Sequence, residues 1–279
     1  MPRRSPDAGP AWSVSRSNLL DSCRRAAYLE TASTSEAHEM PHGIPLRTVV
    51  GSAVHEAIAA QMTRWKAGDP ISPDEAQASA RVFISTVWGA RRTRITECLN
   101  GVELADNLYH ELLSSAHSQL RNFFRMIWPQ FSGHSYVVHE FRDRFSLDGT
   151  NVWVQVDLVT RNPRNHLVIS DWKTGWTSHR SSEAFQMSVY ALWAHLRYAL
   201  PLDDLHTQVV NLRTGEIVRG VPSQALLDET RARIESESSL LRRADDPSSF
   251  PPSPESQKCV ACNFLPMCSA GMELLRQQP

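Results

Sequence analysis

The residues best suited to chemistry lie in one short stretch, NVWVQVDLVTRNPRNHLVISDWKTG, residues 151–175. From Val152 to Val159 the pattern alternates, with Val152, Val154, Val156 and Leu158 facing one way and Trp153, Gln155 and Asp157 the other. A turn-rich loop around Pro163 follows. Leu167 to Lys173 then reads as a second strand with Leu167, Ile169, Asp171 and Lys173 on one face, so an acid and an amine two residues apart point together. A loop centred on Arg164 puts Asp157 opposite Asp171, and directly paired side chains across an antiparallel ladder stand about 5 Å apart. Two carboxylates that close repel, and a divalent cation is the ordinary way to keep both ionised. Lys173 then lies beside the ion, placed to orient a water and to stabilise developing negative charge. An edge-strand ion pair gives the same Asp-x-Lys pattern. The metal reading therefore needs support from elsewhere in the chain.

The second group is KCVACNFLPMCSAG, in which Cys259, Cys262 and Cys268 form C-x2-C-x5-C. Thiolates this dense, in a chain with an odd total of five cysteines, suit a reducing compartment and a metal or cluster site better than a disulfide framework. Three ligands leave a position open. Cys23, near the other end of the chain, is the natural fourth and would staple the termini together. Cys98 has no cysteine neighbour and reads as a small core or surface residue.

Positioning these groups takes several helices. Ser13 to Glu30 reads as a helix capped by Ser15 or Ser17, carrying Cys23. GSAVHEAIAAQMTRW, from Gly51 to Trp65, is a second; Gly51 lies one turn before His55 and lets another backbone come close. Alone, His55 reads as an ordinary half-buried histidine. Residues 73–95 and 102–128 give two longer helices, with Arg91, Arg92 and Arg94 as a basic cluster between them, most simply a solvated face and otherwise a phosphate-contact patch. Strand 136–145 carries Glu140 and opens the meander. Helix 183–200 sets Gln186 and Tyr190 one turn apart on one face. A hairpin at 209–218 turns at Thr214 and Gly215, and 222–244 is an amphipathic helix. DDPSSFPPSPESQ is a linker with no core-forming capacity. The domain plan is thus a disordered tail over 1–12, a main domain over 13–250 with a helical insertion at about 73–128, and a cysteine segment over 251–279 that packs back on the N-terminal helix.

Composition sets the outer limits. The chain of 279 residues, 41% hydrophobic, can bury a large core. Its formal net charge of −1 gives no global basic field, so any nucleic-acid surface must be local. Of its 29 basic residues only Lys66, Lys173 and Lys258 are lysines, which sets Lys173 apart as a compact, tunable charge. The N-terminus has no apolar signal core and no run of about 18 apolar residues occurs, so a soluble cytoplasmic protein with no membrane partner is expected.

Taken in order, these residues resemble the iron–sulfur members of the PD-(D/E)XK nuclease superfamily, the RecB-like exonucleases and the nucleases of CRISPR spacer acquisition. Gly51-x3-His55 resembles the first motif of that family, Asp157 the second, Asp171-Trp172-Lys173-Thr174-Gly175 the third, and Gln186-x3-Tyr190 the one that follows. Cys23 and the C-terminal trio resemble its cluster ligands. Arg24 stands where the family usually has proline, and Gln155 and Val156 precede Asp157 where a glycine commonly opens the motif. The resemblance implies an α/β, restriction-endonuclease-like core, a central mixed sheet flanked by helices, with the helical insertion and the cysteine segment added. It implies Mg²⁺ or Mn²⁺ on His55, Asp157, Asp171 and the Trp172 carbonyl, with Lys173 positioning the attacking water and Gln186 and Tyr190 supporting the site and the DNA strand. It implies a [4Fe–4S] cluster on Cys23, Cys259, Cys262 and Cys268, with zinc as the other occupant of such a site. The expected activity is metal-dependent hydrolysis of DNA, an exonuclease on single-stranded or frayed ends that works with a helicase or other recombination or adaptation proteins. The alternative from another class is a catalytically silent DNA-binding or assembly module with a structural metal cluster. Glu140 matches a frequent acidic strand residue and is assigned no role.

Overall fold

The computed structural model describes residues 11–31, 46–98, 107–175, 180–243 and 246–277, without the side chains of 46–47, 90–98 and 180. Strands β3 (Thr150–Arg161) and β4 (Leu167–Lys173) form the expected hairpin, with Leu158 opposite Ser170 and Arg161 opposite Leu167. Asn162 builds the turn: its Oδ1 accepts the backbone N–H groups of Arg164 and His166 at 2.9 and 3.0 Å. Asn165 takes φ +66° there, a left-handed conformation that asparagine tolerates. Strand β2 (Ser135–Leu147) pairs with β3 after a turn at Asp148 and Gly149, whose φ angles of +47° and +79° suit a two-residue hairpin.

The chain divides into two compact units. One comprises residues 43–142 and 155–224. In it β4 crosses through helix α6 (Arg180–Tyr198) to β5 (Leu205–Asn211), which runs parallel to β4 with Val209 beside Asp171. A parallel neighbour requires such a crossover. β6 (Ile217–Gly220) then returns antiparallel to β5. Helices α3 (Leu46–Lys66), α4 (Pro73–Cys98) and α5 (Leu108–Asn122) bury Val54, Ile58, Met62, Ala76, Ala80, Ile84, Leu112, Ala116 and Leu120 in one core with Leu158, Trp172 and Val210 of the sheet. Ser72 and Glu75 start α4 with reciprocal backbone hydrogen bonds, a capping box. α5 runs on into a π turn at Phe123–Ile127 and a 3₁₀ turn at Trp128–Phe131. Segment 73–128, expected as an insertion, thus supplies much of the core: Leu120, Phe123 and Ile127 are fully buried, each stabilising by about 1.5–3 kcal/mol. By strand alternation Asp157 and Asp171 face away from Leu158 and Trp172.

The other unit comprises residues 1–42, 143–154 and 225–279, so the cysteine segment shares a unit with the N-terminal helices and with residues 225–250. Three sequence expectations change here. Trp12, placed in the tail, is fully buried in strand β1 (Trp12–Ser13), parallel to β3 with Trp12 opposite Val152; residues 1–10 lie outside the described part. The single helix expected over Ser13–Glu30 is two, α1 (Val14–Ser22) and α2 (Arg24–Thr31), capped by Ser13 and interrupted by Cys23 at φ −162° and ψ 111°. The linker does contribute to the core: Phe250 is fully buried with its ring 5.6 Å from that of Tyr28. Helix α7 (Gln224–Leu241) is tied to α1 and β1 by Glu237, which accepts from Trp12 Nε1 at 2.8 Å and Ser17 Oγ at 3.0 Å. Short helices α8 (Ser256–Val260) and α9 (Ser269–Arg276) carry the cysteine segment. Residues 32–45 and the side chains of Arg91, Arg92, Arg94 and Cys98 lie outside the described residues.

Candidate active site

His55, in the middle of α3, stands among acceptors on both sides. Its Nε2 lies 3.2 Å from the Trp172 carbonyl oxygen, and its Nδ1 lies 3.5 Å from Asp157 Oδ1 and 3.6 Å from Glu140 Oε1. Burial alone would lower the pKa of this imidazole, but the Glu140 hydrogen bond and the charges of Asp157, Glu140 and Asp171 outweigh it and raise it to about 9. Both ring nitrogens then donate.

The paired residues of β3 and β4 end at Leu158 and Ser170, a register that extended by one step sets Asp157 level with Asp171, as the loop centre at Arg164 predicts. The strands do not continue as a plain ladder there, because Asp157 Oδ2 takes the backbone N–H of Trp172 at 2.7 Å. Burial, reinforced by the charge of Asp171, pushes the Asp157 carboxyl up; His55 and the Trp172 N–H pull in the other direction. Repulsion between two buried acids is the expected mark of a site built for a cation.

Asp171 leads into a chain of hydrogen bonds. Its Oδ2 faces Lys173 Nζ at 2.7 Å in an ion pair that lacks hydrogen-bond direction, so the oxygen keeps capacity for another partner. Its Oδ1 accepts from Gln186 Nε2 at 3.0 Å. Lys173 Nζ donates to Gln186 Oε1 at 2.7 Å, Gln186 Nε2 also donates to the Tyr190 hydroxyl at 2.7 Å, and that hydroxyl donates to the Gln155 carbonyl at 2.5 Å. One turn of α6 therefore fixes acid and amine together. Gly51 makes room for the segment after Lys173, but against a side chain and not a backbone: a Cβ there would sit 3.0 Å from Thr174 Oγ1.

The sequence reading left out Glu140. The ligand atoms of His55, Glu140 and Asp157 all lie within 4.8 Å of one another, and Asp171 stands outside this group. Glu140 reaches it through its backbone, at φ +41° within β2. Regular strand geometry sends neighbours to opposite faces, yet His139 meets Thr63 of α3 at 3.1 Å and Glu140 meets His55 of the same helix. The left-handed residue breaks the alternation, at a cost on the order of 1–3 kcal/mol. One imidazole with oxygen donors suits a divalent ion such as Mg²⁺ or Mn²⁺, and Asp171 adds an open lone pair nearby.

In the other unit, Cys23, Cys259, Cys262 and Cys268 are free thiols. The Cys262 thiol is pushed up by burial and further by the charges of Cys23, Cys259 and Cys268, while the Phe264 backbone lowers it. Gly271 leaves space at this cluster: a Cβ there would meet Leu265 at 3.0 Å, Cys259 Sγ at 3.5 Å and Cys268 Sγ at 3.6 Å. Cys23 sits at the break between α1 and α2, and its charge is felt by Cys262.

With this geometry, comparison with known proteins becomes informative. Residues 11–269 match the PD-(D/E)XK nuclease superfamily, and the chain belongs to it. The mixed sheet flanked by helices is accordingly a restriction-endonuclease-like core. Among solved structures, the chain is similar to a candidate exonuclease from Eubacterium rectale, at 14% identity and a TM-score of 0.52, over 94% of this chain and 86% of that one. That likeness is one of fold. The structure of SSO0001 aligns more loosely, at 13% identity and a TM-score of 0.32, over 91% of this chain and 96% of that one. No curated protein matches in sequence. The superfamily makes the protein a nuclease that uses a divalent metal and acts on DNA. No described helix is long and apolar enough to cross a membrane.

Proposed function

We propose that the chain is a Mg²⁺- or Mn²⁺-dependent DNA exonuclease of the RecB-like iron–sulfur branch, acting on single-stranded or frayed ends. The observation that carries the reading is the convergence of His55, Glu140 and Asp157 within 4.8 Å, with Asp171 and Lys173 beside them. His55, Asp157 and Asp171, joined by Glu140 and by the Trp172 carbonyl, would hold the divalent ion. When bound, the ion supplies Lewis acidity toward the scissile phosphate and lowers the pKa of a water.

The remaining work belongs to the chain. Binding an ion requires His55 to release a proton, since both nitrogens otherwise donate. Lys173, steered by Asp171 and Gln186, orients the attacking water and stabilises charge as the water oxygen, giving up a proton to solvent, bonds to phosphorus and the P–O bond breaks, the leaving oxygen taking up a proton. Gln186 and Tyr190 position Lys173 and Asp171.

The cysteines fit a [4Fe–4S] cluster. In this reading Cys23 and the C-terminal trio supply its four thiolates, and zinc is the other occupant of such a site. The cluster's role is structural, joining the N-terminal helices to the C-terminal segment, and the protein works alongside a helicase or other recombination or adaptation proteins.

The test is a time course on 5′- and 3′-labelled single-stranded and duplex oligonucleotides with Mg²⁺ and with Mn²⁺. Stepwise shortening of single strands, lost in Asp171→Ala and Lys173→Ala, is expected. Tight DNA binding without cleavage under full metal loading would show a silent binding module instead.

A further inference from the structure

Beyond the ion-binding acids lies an arginine whose surroundings suggest a distinct task. Arg142 is exposed two residues along β2 from Glu140. Its Nη2 donates to Gln155 Oε1 at 3.0 Å, and Gln155 Nε2 reaches Glu140 Oε2 at 3.4 Å. Glu140 in turn faces His55. A hydrogen-bonded chain thus runs from the guanidinium through one amide to the acids of the site. Gln155 also anchors the other side of the site, because its backbone carbonyl accepts the Tyr190 hydroxyl.

Two features separate Arg142 from an ordinary solvated strand arginine. First, the group that holds it is a neutral amide; among the described residues no carboxylate lies within 4.0 Å of it, so its charge is not paired off. Second, the amide takes only one edge of the planar fork, leaving other N–H groups to make the paired bonds that suit phosphate oxygens. A guanidinium held one amide away from Glu140 suits a polyanion: the acids would hold a cation that meets one phosphate, and the arginine would meet a neighbouring one.

We propose that Arg142 grips a backbone phosphate of the nucleic-acid strand entering the site, and that Gln155 is a positioning residue that aims Arg142 and steadies Glu140. This inference rests on the nuclease reading above. Because the grip does not require a bound ion, it is measurable without catalysis.

The experiment is fluorescence anisotropy of a labelled single-stranded oligonucleotide, in EDTA, across a salt series, with parallel Mn²⁺ cleavage assays and circular dichroism on each variant. For Arg142→Gln the expected result is a Kd about fivefold higher at low salt and a slope of log K against log[salt] shallower by about 0.7, the change for one phosphate contact on a single strand. Arg142→Lys should keep the slope. Gln155→Leu should weaken binding to a similar extent, and Arg142→Gln/Gln155→Leu should bind no more weakly than Arg142→Gln, since both changes remove one contact. A wild-type Kd and slope in Arg142→Gln overturns the proposal while leaving the nuclease reading intact, provided the wild-type chain binds and cuts DNA. A weaker Arg142→Gln with an unaffected Gln155→Leu overturns the positioning role. A wild-type chain that neither binds nor cuts any nucleic acid overturns the underlying reading itself.

Discussion

Asp157→Asn should make the metal-free protein more stable at alkaline pH while removing its response to divalent ions. Asp157 is 8% exposed, and its carboxyl is raised from 3.8 to about 7 by burial first and by Asp171 second. A carboxyl raised in the folded state contributes stability below pH of about 3.8, and that contribution is lost as pH climbs through about 7. A shift of about three units sets a ceiling of roughly 4 kcal/mol; sharing of charge with His55, Glu140 and Asp171 makes about 1–2 kcal/mol the reasonable expectation. Asparagine keeps an oxygen for the Trp172 N–H but carries no charge to repel Asp171. For a chain of this size, 1–2 kcal/mol is about 2–8 °C in Tm. The assay is differential scanning fluorimetry at pH 5 and pH 8, in EDTA and in Mn²⁺. In EDTA at pH 8 the variant should melt above wild type, and the gap should narrow at pH 5. With Mn²⁺ at about a hundred times its Kd, wild type should gain about 2.7 kcal/mol and the variant little. A variant that melts below wild type at both pH values in EDTA, or that gains as much from Mn²⁺, would refute the reasoning.

The other expected outcomes are more compact. Metal affinity measured by calorimetry should strengthen as pH rises toward about 9, because His55 must lose a proton to bind; a flat profile contradicts this. Lys173→Ala should lower kcat by about 10²–10³ while leaving the DNA Kd within about threefold, as read by single-turnover cleavage and anisotropy. Gly271→Val should reduce the brown absorption near about 400 nm expected of a cluster, since its side chain intrudes on Cys259 and Cys268; an unchanged spectrum argues against this placement. Phe250→Ala should cost about 3–5 kcal/mol in chemical denaturation, given its full burial.

The parts legible in sequence were those governed by short periods. Alternation in β3 and β4 gave the faces of Asp157 and Asp171, and the loop centre at Arg164 gave their register. One-turn spacing gave Gln186 above Tyr190. Glu140 was not legible, because its placement depends on a left-handed residue inside a strand, and no glycine or asparagine marks the position. The split helix at Cys23 was hidden for a related reason: Ser13 to Glu30 is helical in composition throughout, and no residue type in it marks Cys23 as extended. Phe250 was lost among prolines and serines, where a single aromatic looks incidental but packs on Tyr28. Trp12 likewise follows a stretch with nothing to bury, and its partners Val152 and Glu237 are far along the chain.

The central claim is that one cation sits among His55, Glu140, Asp157 and Asp171. Anomalous diffraction from crystals soaked in Mn²⁺ tests it without any assay of activity. The expected result is a single strong peak at bonding distance from His55 and from the Asp157 and Glu140 carboxylates, absent in Asp157→Asn. Crystals that take up manganese elsewhere and leave this cluster without a peak would contradict the account.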